Sequence, residues 1–318
     1  MTIPTVLNKN LTLPLIVSPM FLVSGPNLVV ASCKAGVIGT FPALNTRPIE
    51  MLETWMQEIK DRLAGEVNAA PWGVNLIVHG SNVRLAEEIE IVRKMQPPLV
   101  ITSVGQPKEI VEIVHGYGGV VFHDIINMRH ARSAMRANVD GLIAVCAGAG
   151  GHAGLMNPMT LIPQLRAEFD GTIILAGAIS DGASIRAAEV LGADMAYMGT
   201  RFIACEESMA DDHYKNMLIE ESSADIVYSN KISGIWGNFL SKSLQEAGVD
   251  PETGETKNPD FNANTKNKRG GGTKNAWKVI LSAGQGVGQI HDAPKASEIV
   301  ERMKADYKRA SAIPANFG

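Results

Sequence analysis

Thr172-Ile173-Ile174-Leu175-Ala176-Gly177-Ala178-Ile179-Ser180-Asp181-Gly182 leads through a helical stretch, 183–191, to Met195-Ala196-Tyr197-Met198-Gly199-Thr200. Two short apolar runs, each closed by a glycine, flank one segment of helix length. This is a strand–helix–strand unit. Its strands are too apolar for a sheet wetted on one face, so they read as parallel and covered by helices.

The same alternation extends in both directions. Strands are expected at 14–17, 37–40, 72–78, 99–103, 119–122, 141–145, 172–175 and 195–198. Helices are expected between them at 27–35, 48–62, 81–95, 107–115, 128–137, 158–169 and 183–191, with Ser81 capping the third. Eight strands are the number that closes a barrel. A doubly wound sheet would carry a GxGxxG turn after its first strand; Ser18-Pro19-Met20-Phe21 stands there instead. The fold class is therefore α/β, a (β/α)8 TIM barrel with a C-terminal, mostly helical insertion or lid.

The texture changes near Ser208. Residues 211–221 and 237–247 read as helices, and 248–274 is polar, with Lys266-Asn267-Lys268-Arg269-Gly270-Gly271-Gly272 at its centre. That segment reads as a solvated surface connection of the lid. A strand-like run at 277–281 leads into Ala283-Gly284-Gln285-Gly286-Val287-Gly288, and a last helix at 295–309 spaces Ile299, Met303 and Tyr307 along one face. The chain thus divides into a barrel, 1–207 with 276–318, and a smaller lid, 208–275.

Composition narrows the function classes. The chain has 318 residues, 45 % hydrophobic and 19 % charged, and a formal net charge of −4. Such a chain buries a large core and offers no basic stripe for nucleic acid. Neither a signal peptide nor a membrane span is legible. Cys33, Cys146 and Cys205 are scattered and odd in number, which suits a reducing, cytoplasmic setting.

In such barrels the chemistry sits where strands end at the C-terminal face. The strand ends here deliver Pro19, Met20 and Phe21; Asn75 and His79; His123 and Asp124; Cys146 and the loop Gly148-Ala149-Gly150-Gly151-His152-Ala153-Gly154; Gly177-Ala178; and Gly199-Thr200. The loops after the last two strands are the usual place for a phosphate, because glycine lets backbone N–H groups approach its oxygens. Either glycine alone reads as an ordinary turn; the two together favour a phosphate-bearing ligand. His152 suits acid–base work near neutral pH. By itself it reads equally well as a surface histidine. A metal site from His79, His123, Asp124 and His152 lacks any HxH or HExxH spacing, and none is expected. Cys146 reads as a small buried hydrophobe. Asn75, polar within an apolar strand, satisfies a neighbouring strand or binds a ligand edge, and the sequence leaves both open.

These motifs, in this order, resemble the nitronate monooxygenases, formerly called 2-nitropropane dioxygenases. The resemblance is carried by residues 14–20, 73–76, 149–154, 176–179, 198–202 and 282–288. It implies a barrel that binds FMN non-covalently. Carried over, Gly177-Ala178 and Gly199-Thr200 would hold the phosphate, Pro19, Met20 and Phe21 would line the flavin, and Asn75 would touch its ring. Gly150, Gly151, Ala176 and Gln285 complete the expected cofactor set, and His152 would be the catalytic base. Two departures stand out: Asp124 where the best-known branch has lysine, and Ala176 where it has serine. The implied reaction oxidises alkyl nitronates or nitroalkanes with O2 to a carbonyl compound and nitrite. The alternatives are an NAD(P)H:quinone reductase or enoyl-thioester reductase on the same flavin barrel. A metal-dependent barrel lyase using His79, His123 and His152 is the alternative of another class. Expected partners are a small-molecule substrate and O2, with no nucleic acid and no membrane; a homodimer is left open.

Overall fold

In the computed structural model, which describes residues 3–232, 234–250 and 280–314, β8 (Thr172–Ala176), α7 (Gly182–Leu191) and β9 (Met195–Met198) form the unit read from sequence. Strands β8 and β9 pair in parallel, with Leu175 opposite Ala196. Before them run β1 (Leu15–Val17), α1 (Pro26–Lys34), β2 (Ile38–Pro42), α2 (Glu50–Leu63), β3 (Trp72–Ile77), α3 (Leu85–Met95), β4 (Leu99–Ser103) and α4 (Lys108–His115). Then come β5 (Val120–Ile125), α5 (Met128–Arg136), β6 (Gly141–Val145), a two-residue strand β7 (Gly151–His152) and α6 (Pro158–Glu168). The barrel order is β1-β2-β3-β4-β5-β6-β8-β9, and β9 closes on β1 with Ile16 opposite Tyr197.

Side chains alternate between two cores, as a strand period of two demands. Ile16, Ile38, Leu99, Ile101, Phe122, Ile143, Ile174 and Met195 fill the barrel. Val74, Val100, Val121, Leu142 and Ile173 face outward against Leu52, Met56, Val92, Val114 and Leu165 of the helices. Gly141 makes room for the inward Phe122: a Cβ there would lie 2.5 Å from its ring. Helix α7 begins with a reciprocal cap between Asp181 and Ser184 and ends at Gly192, whose φ of 108° suits glycine.

Strand β5 runs past the expected end at 122, so His123 and Asp124 lie inside it. The expected cap at Ser81 is wrong. Helix α3 starts at Leu85, after a turn in which Asn82 donates to Ile77 O and to Glu88 Oε2. Ser81 instead sits 2.9 Å from His79 Nδ1.

After α8 (Thr200–Ile203) come α9 (Asp212–Glu220), β10 (Ile226–Ser229), β11 (Gly237–Leu240) and α10 (Ser241–Glu246). The expectation of one helix over 237–247 is corrected here, because its first half is β11. Strand β11 pairs antiparallel with β10 on one side and β7 on the other. A Cβ on Gly237 would lie 2.9 Å from Gly151 O, so glycine permits this approach. Tertiary pairing thus overrides a locally helical pattern. Among the described residues, the segment expected to be mostly helical reaches the glycine–histidine loop with a strand.

The polar segment expected at 248–274, apart from its first three residues, and most of the run at 277–281 lie outside the described residues. The last helix, α11 (Ala296–Ser311), packs Ile299, Val300 and Met303 against Ile185 and Leu28, and Tyr307 donates to Glu189 at 2.8 Å. Among the described residues no helix is long and apolar enough to cross a membrane.

Candidate active site

The loop after β1 carries Pro19 and Met20, both half-buried, and Phe21, exposed at 36 %. It is held by Asn45, which the sequence reading missed. The Asn45 amide donates to Met20 O (3.0 Å) and Ser24 O (2.8 Å), and its Oδ1 accepts the Leu22 N–H at 2.8 Å. The Arg47 guanidinium lies 5.4 Å from the centre of the Phe21 ring. Gly199 abuts this loop, since a Cβ there would lie 2.6 Å from Ser18 Oγ.

Three distant segments meet beside it. Gly284 N–H donates to Thr200 Oγ1 (2.9 Å), and Gln285 N–H donates to Gly148 O (2.9 Å). A Cβ on Gly150 would lie 2.8 Å from Gly284 N and 3.2 Å from Thr200 Oγ1. One on Gly148 would meet Gln285 Oε1 at 2.9 Å and the Ala178 methyl at 3.3 Å. Gly177 and Ala178 follow β8 with φ of 120° and 55°. A left-handed alanine is uncommon, and strain of this kind clusters at ligand sites. Asp181 takes the Ser184 N–H of α7, so the N-terminus of that helix is already capped and the meeting loops present strand-end backbone. Arg201 is committed elsewhere, to Ala204 O and Asp292.

His152 lies in β7 opposite Gly237. Residues of β10 and β11 hold its loop on both sides. Asn238, 3 % exposed, donates to Ala149 O at 2.7 Å, and Tyr228 Oη donates to Ala153 O at 3.0 Å. Tyr228 stacks on Trp236, ring centres 4.9 Å apart. The ring of His152 is half-buried, and burial pushes its pKa down to about 4. Replacing Asn238 with leucine would leave the buried Ala149 carbonyl without this donor, at about 1–3 kcal/mol. Urea unfolding of the Asn238→Leu variant is expected to register that loss; an unchanged midpoint would mean the loop is held by other contacts.

Inward positions of β3, β4 and β5 carry polar side chains that meet. Asn75 Nδ2 donates to Ser103 Oγ (2.7 Å) and Ile101 O (3.3 Å), and Ser103 Oγ donates to Asp124 Oδ2 (2.5 Å). Asn75 thus does satisfy its neighbouring strand. Burial raises the Asp124 carboxyl to about 6. Its Oδ1 is buried without a hydrogen-bond partner among the described residues. Tyr197 of β9 belongs to the same layer, and burial, followed by the Asp124 charge, pushes its phenol well up.

The candidate metal ligands do not converge. His79 is exposed, and His123 points out of the barrel, 2.8 Å from Thr102 Oγ1. Burial, then His130, lowers His123 to about 4. Among the described residues no three His, Cys, Asp or Glu side chains are grouped to hold an ion. Burial raises the Cys146 thiol to about 12, which removes thiolate character at neutral pH.

Residues 79–306 match the sequence model of the nitronate monooxygenases. The chain belongs to the nitronate monooxygenase family. It is an oxidoreductase, and the family is one of flavoproteins. A nitronate monooxygenase of Paraburkholderia phytofirmans is 25 % identical, covering 93 % of each chain. An octahydro-1H-indene-4-carboxyl-CoA dehydrogenase of Rhodococcus jostii is 26 % identical over 73 % of this chain and 63 % of its own. The crystal structure of a nitroalkane oxidase from Streptomyces ansochromogenes superposes with a TM-score of 0.79 at 23 % identity, covering 96 % of this chain and 99 % of that one. This last likeness speaks to the fold. Within the nitronate monooxygenase match lie β5, the His152 loop, both strand-end glycines and the 284–285 turn.

Proposed function

We propose that the protein is an FMN-dependent nitronate monooxygenase, oxidising alkyl nitronates and nitroalkanes with O2 to a carbonyl compound and nitrite. One observation supports this reading: the strand-end loops at Gly150, Gly177, Thr200 and Gly284 meet, and the loop of His152 is held beside them. The fit to FMN rests on that meeting of backbone. Gly150, Gly177 and Gly199 stand where a Cβ would crowd neighbouring atoms, and Gly151, Ala176, Ala178, Thr200 and Gln285 complete the cofactor set with backbone and the Thr200 hydroxyl. In this reading Pro19, Met20 and Phe21 line the ring system, and Asn75 meets its polar edge. The barrel is 1–207 with 276–318, the lid is 208–275, and the enzyme is cytoplasmic.

A bound flavin supplies the redox step, passing electrons from the substrate to O2. The chain supplies the base, the geometry and the exclusion of water. His152 takes the α-proton of a neutral nitroalkane. Its charged form is disfavoured alone in a buried site, but here it arises beside the nitronate anion it creates. That opposite charge offsets the desolvation. The Tyr228–Trp236 stack and β11 hold the loop so that the imidazole keeps its position while the proton moves.

Burial holds His152 at about 4 against an ordinary 6.5. Below its pKa an imidazole already carries a proton and accepts none. The kcat/KM for neutral nitroalkanes is therefore expected to fall as pH drops through about 4. An acid limb at the ordinary histidine value would contradict the buried base. The substrate assignment is tested by O2 uptake and nitrite release with a preformed alkyl nitronate. Rapid anaerobic bleaching by NADH or NADPH, without nitronate turnover, would favour a reductase instead.

A further inference from the structure

The inward residues at the top of the barrel form an uneven ring. Thr40, Asn75, Ser103, Asp124, Val145, Ala176 and Tyr197 occupy its successive strands. Thr40 is committed to Val17 O at 2.5 Å. Asp124 is the one acidic group of the ring. From β4, Ser103 faces it and donates to it; from β3, Asn75 reaches it through Ser103. From β6 its neighbour is the apolar Val145, and from β9 the titratable group is Tyr197. Among the described residues no cation pairs with it, and its second oxygen is buried without a hydrogen-bond partner. Structural carboxylates of this chain look different: Asp194 pairs with Arg166, and Asp292 with Arg201 and Arg302.

We propose that Asp124 is a positioning residue that sets the reduction potential of the flavin: through Ser103 it fixes the Asn75 amide, and it holds an uncompensated negative charge in the floor of the cofactor site. This rests on the flavin reading above. Reduction by two electrons and one proton adds one negative charge to the ring system. A buried carboxylate nearby opposes that charge with little screening. The cofactor is then harder to reduce than in the same barrel with a neutral residue at this position. Protonating Asp124 removes the opposition. The ordering of Asn75 is a separate effect, because a neutral asparagine at 124 still accepts from Ser103.

The test is the midpoint potential of the purified holoenzyme, by dithionite titration against a reference dye, for wild type and Asp124→Asn. At about pH 8 the variant is expected to sit at the higher potential; at about pH 5, where the wild-type carboxyl holds its proton, the gap closes. Equal potentials at both pH values, with flavin bound, overturn this inference and leave the functional reading standing. A wild-type protein that takes up no flavin overturns both. Should the variant fail to fold, the wild-type potential alone carries the test. Its fall with pH is expected to be steeper just above about pH 6 than below it, because there the ionised carboxyl of the oxidised enzyme takes up one extra proton on reduction. A constant slope across that range overturns the inference.

Discussion

Replacing His152 with asparagine is expected to lower turnover of neutral nitroalkanes by about 10²–10⁴-fold, the usual contribution of one positioned base. Turnover of preformed nitronates should fall far less, because their α-proton is already gone. The split follows from the structure. Asparagine matches histidine in its ability to hydrogen-bond, and β7 needs only backbone to pair with Gly237, so the loop keeps its place. The clamps on that loop, from Asn238 to Ala149 O and from Tyr228 to Ala153 O, do not involve the imidazole. What is removed is proton acceptance. Steady-state O2 consumption with each substrate form reads it directly. Equal losses on both forms would mean that His152 binds rather than abstracts, and full retention on the neutral form would remove it from the mechanism.

Gly177→Val is expected to loosen flavin binding by at least about tenfold, equivalent to about 1.4 kcal/mol. Two penalties act at this position. The φ of 120° lies where L side chains rarely go, and a Cβ would lie 2.9 Å from Ala147 O and 3.0 Å from Cys146 O. Both obstacles are backbone at the end of β6, and they cannot rotate aside. Strain at one such residue costs about 1–3 kcal/mol, and overpacking costs a similar amount. The loop must therefore move, and with it the Ala178 backbone that follows. Fluorescence titration of the apoprotein with FMN measures the change. Unaltered affinity would mean the phosphate lies elsewhere on the mouth.

The barrel was legible because its signal is periodic. Strands β4, β6 and β9 fall at their expected residues, since Leu99–Ser103, Gly141–Val145 and Met195–Met198 are apolar runs with sharp polar or glycine edges. The glycine-marked loops were legible for a related reason: a close backbone approach leaves glycine as its trace. Gly150, Gly177, Thr200 and Gln285 do come together, from segments that sequence spacing alone does not connect. Less was legible where long-range contacts decide. β11 carries a helical-looking pattern, and only its pairing with β10 and β7 makes it a strand. Asn45 and Asn238 hold the two mouth loops through backbone carbonyls, and an asparagine leaves no sign of which carbonyl it will find.

The inward acid was hidden by a boundary. With β5 stopped at Phe122, His123 and Asp124 read as a strand-end pair and suggested a shared site. With β5 running to Ile125, alternation sends them to opposite faces: His123 to the helix layer with Thr102, Asp124 into the mouth with Ser103. A polar residue at an inward position near the end of β3, β4, β5 and β9 was the available signal, once the strands had their full length.

The most direct measurement is the identity and stoichiometry of the cofactor released from the purified protein, by its visible spectrum and mass. The purified protein is expected to be yellow and to give up FMN, about one molecule per chain, from a site whose affinity Gly177→Val lowers. A protein that is colourless, and remains so after incubation with FMN, would contradict it.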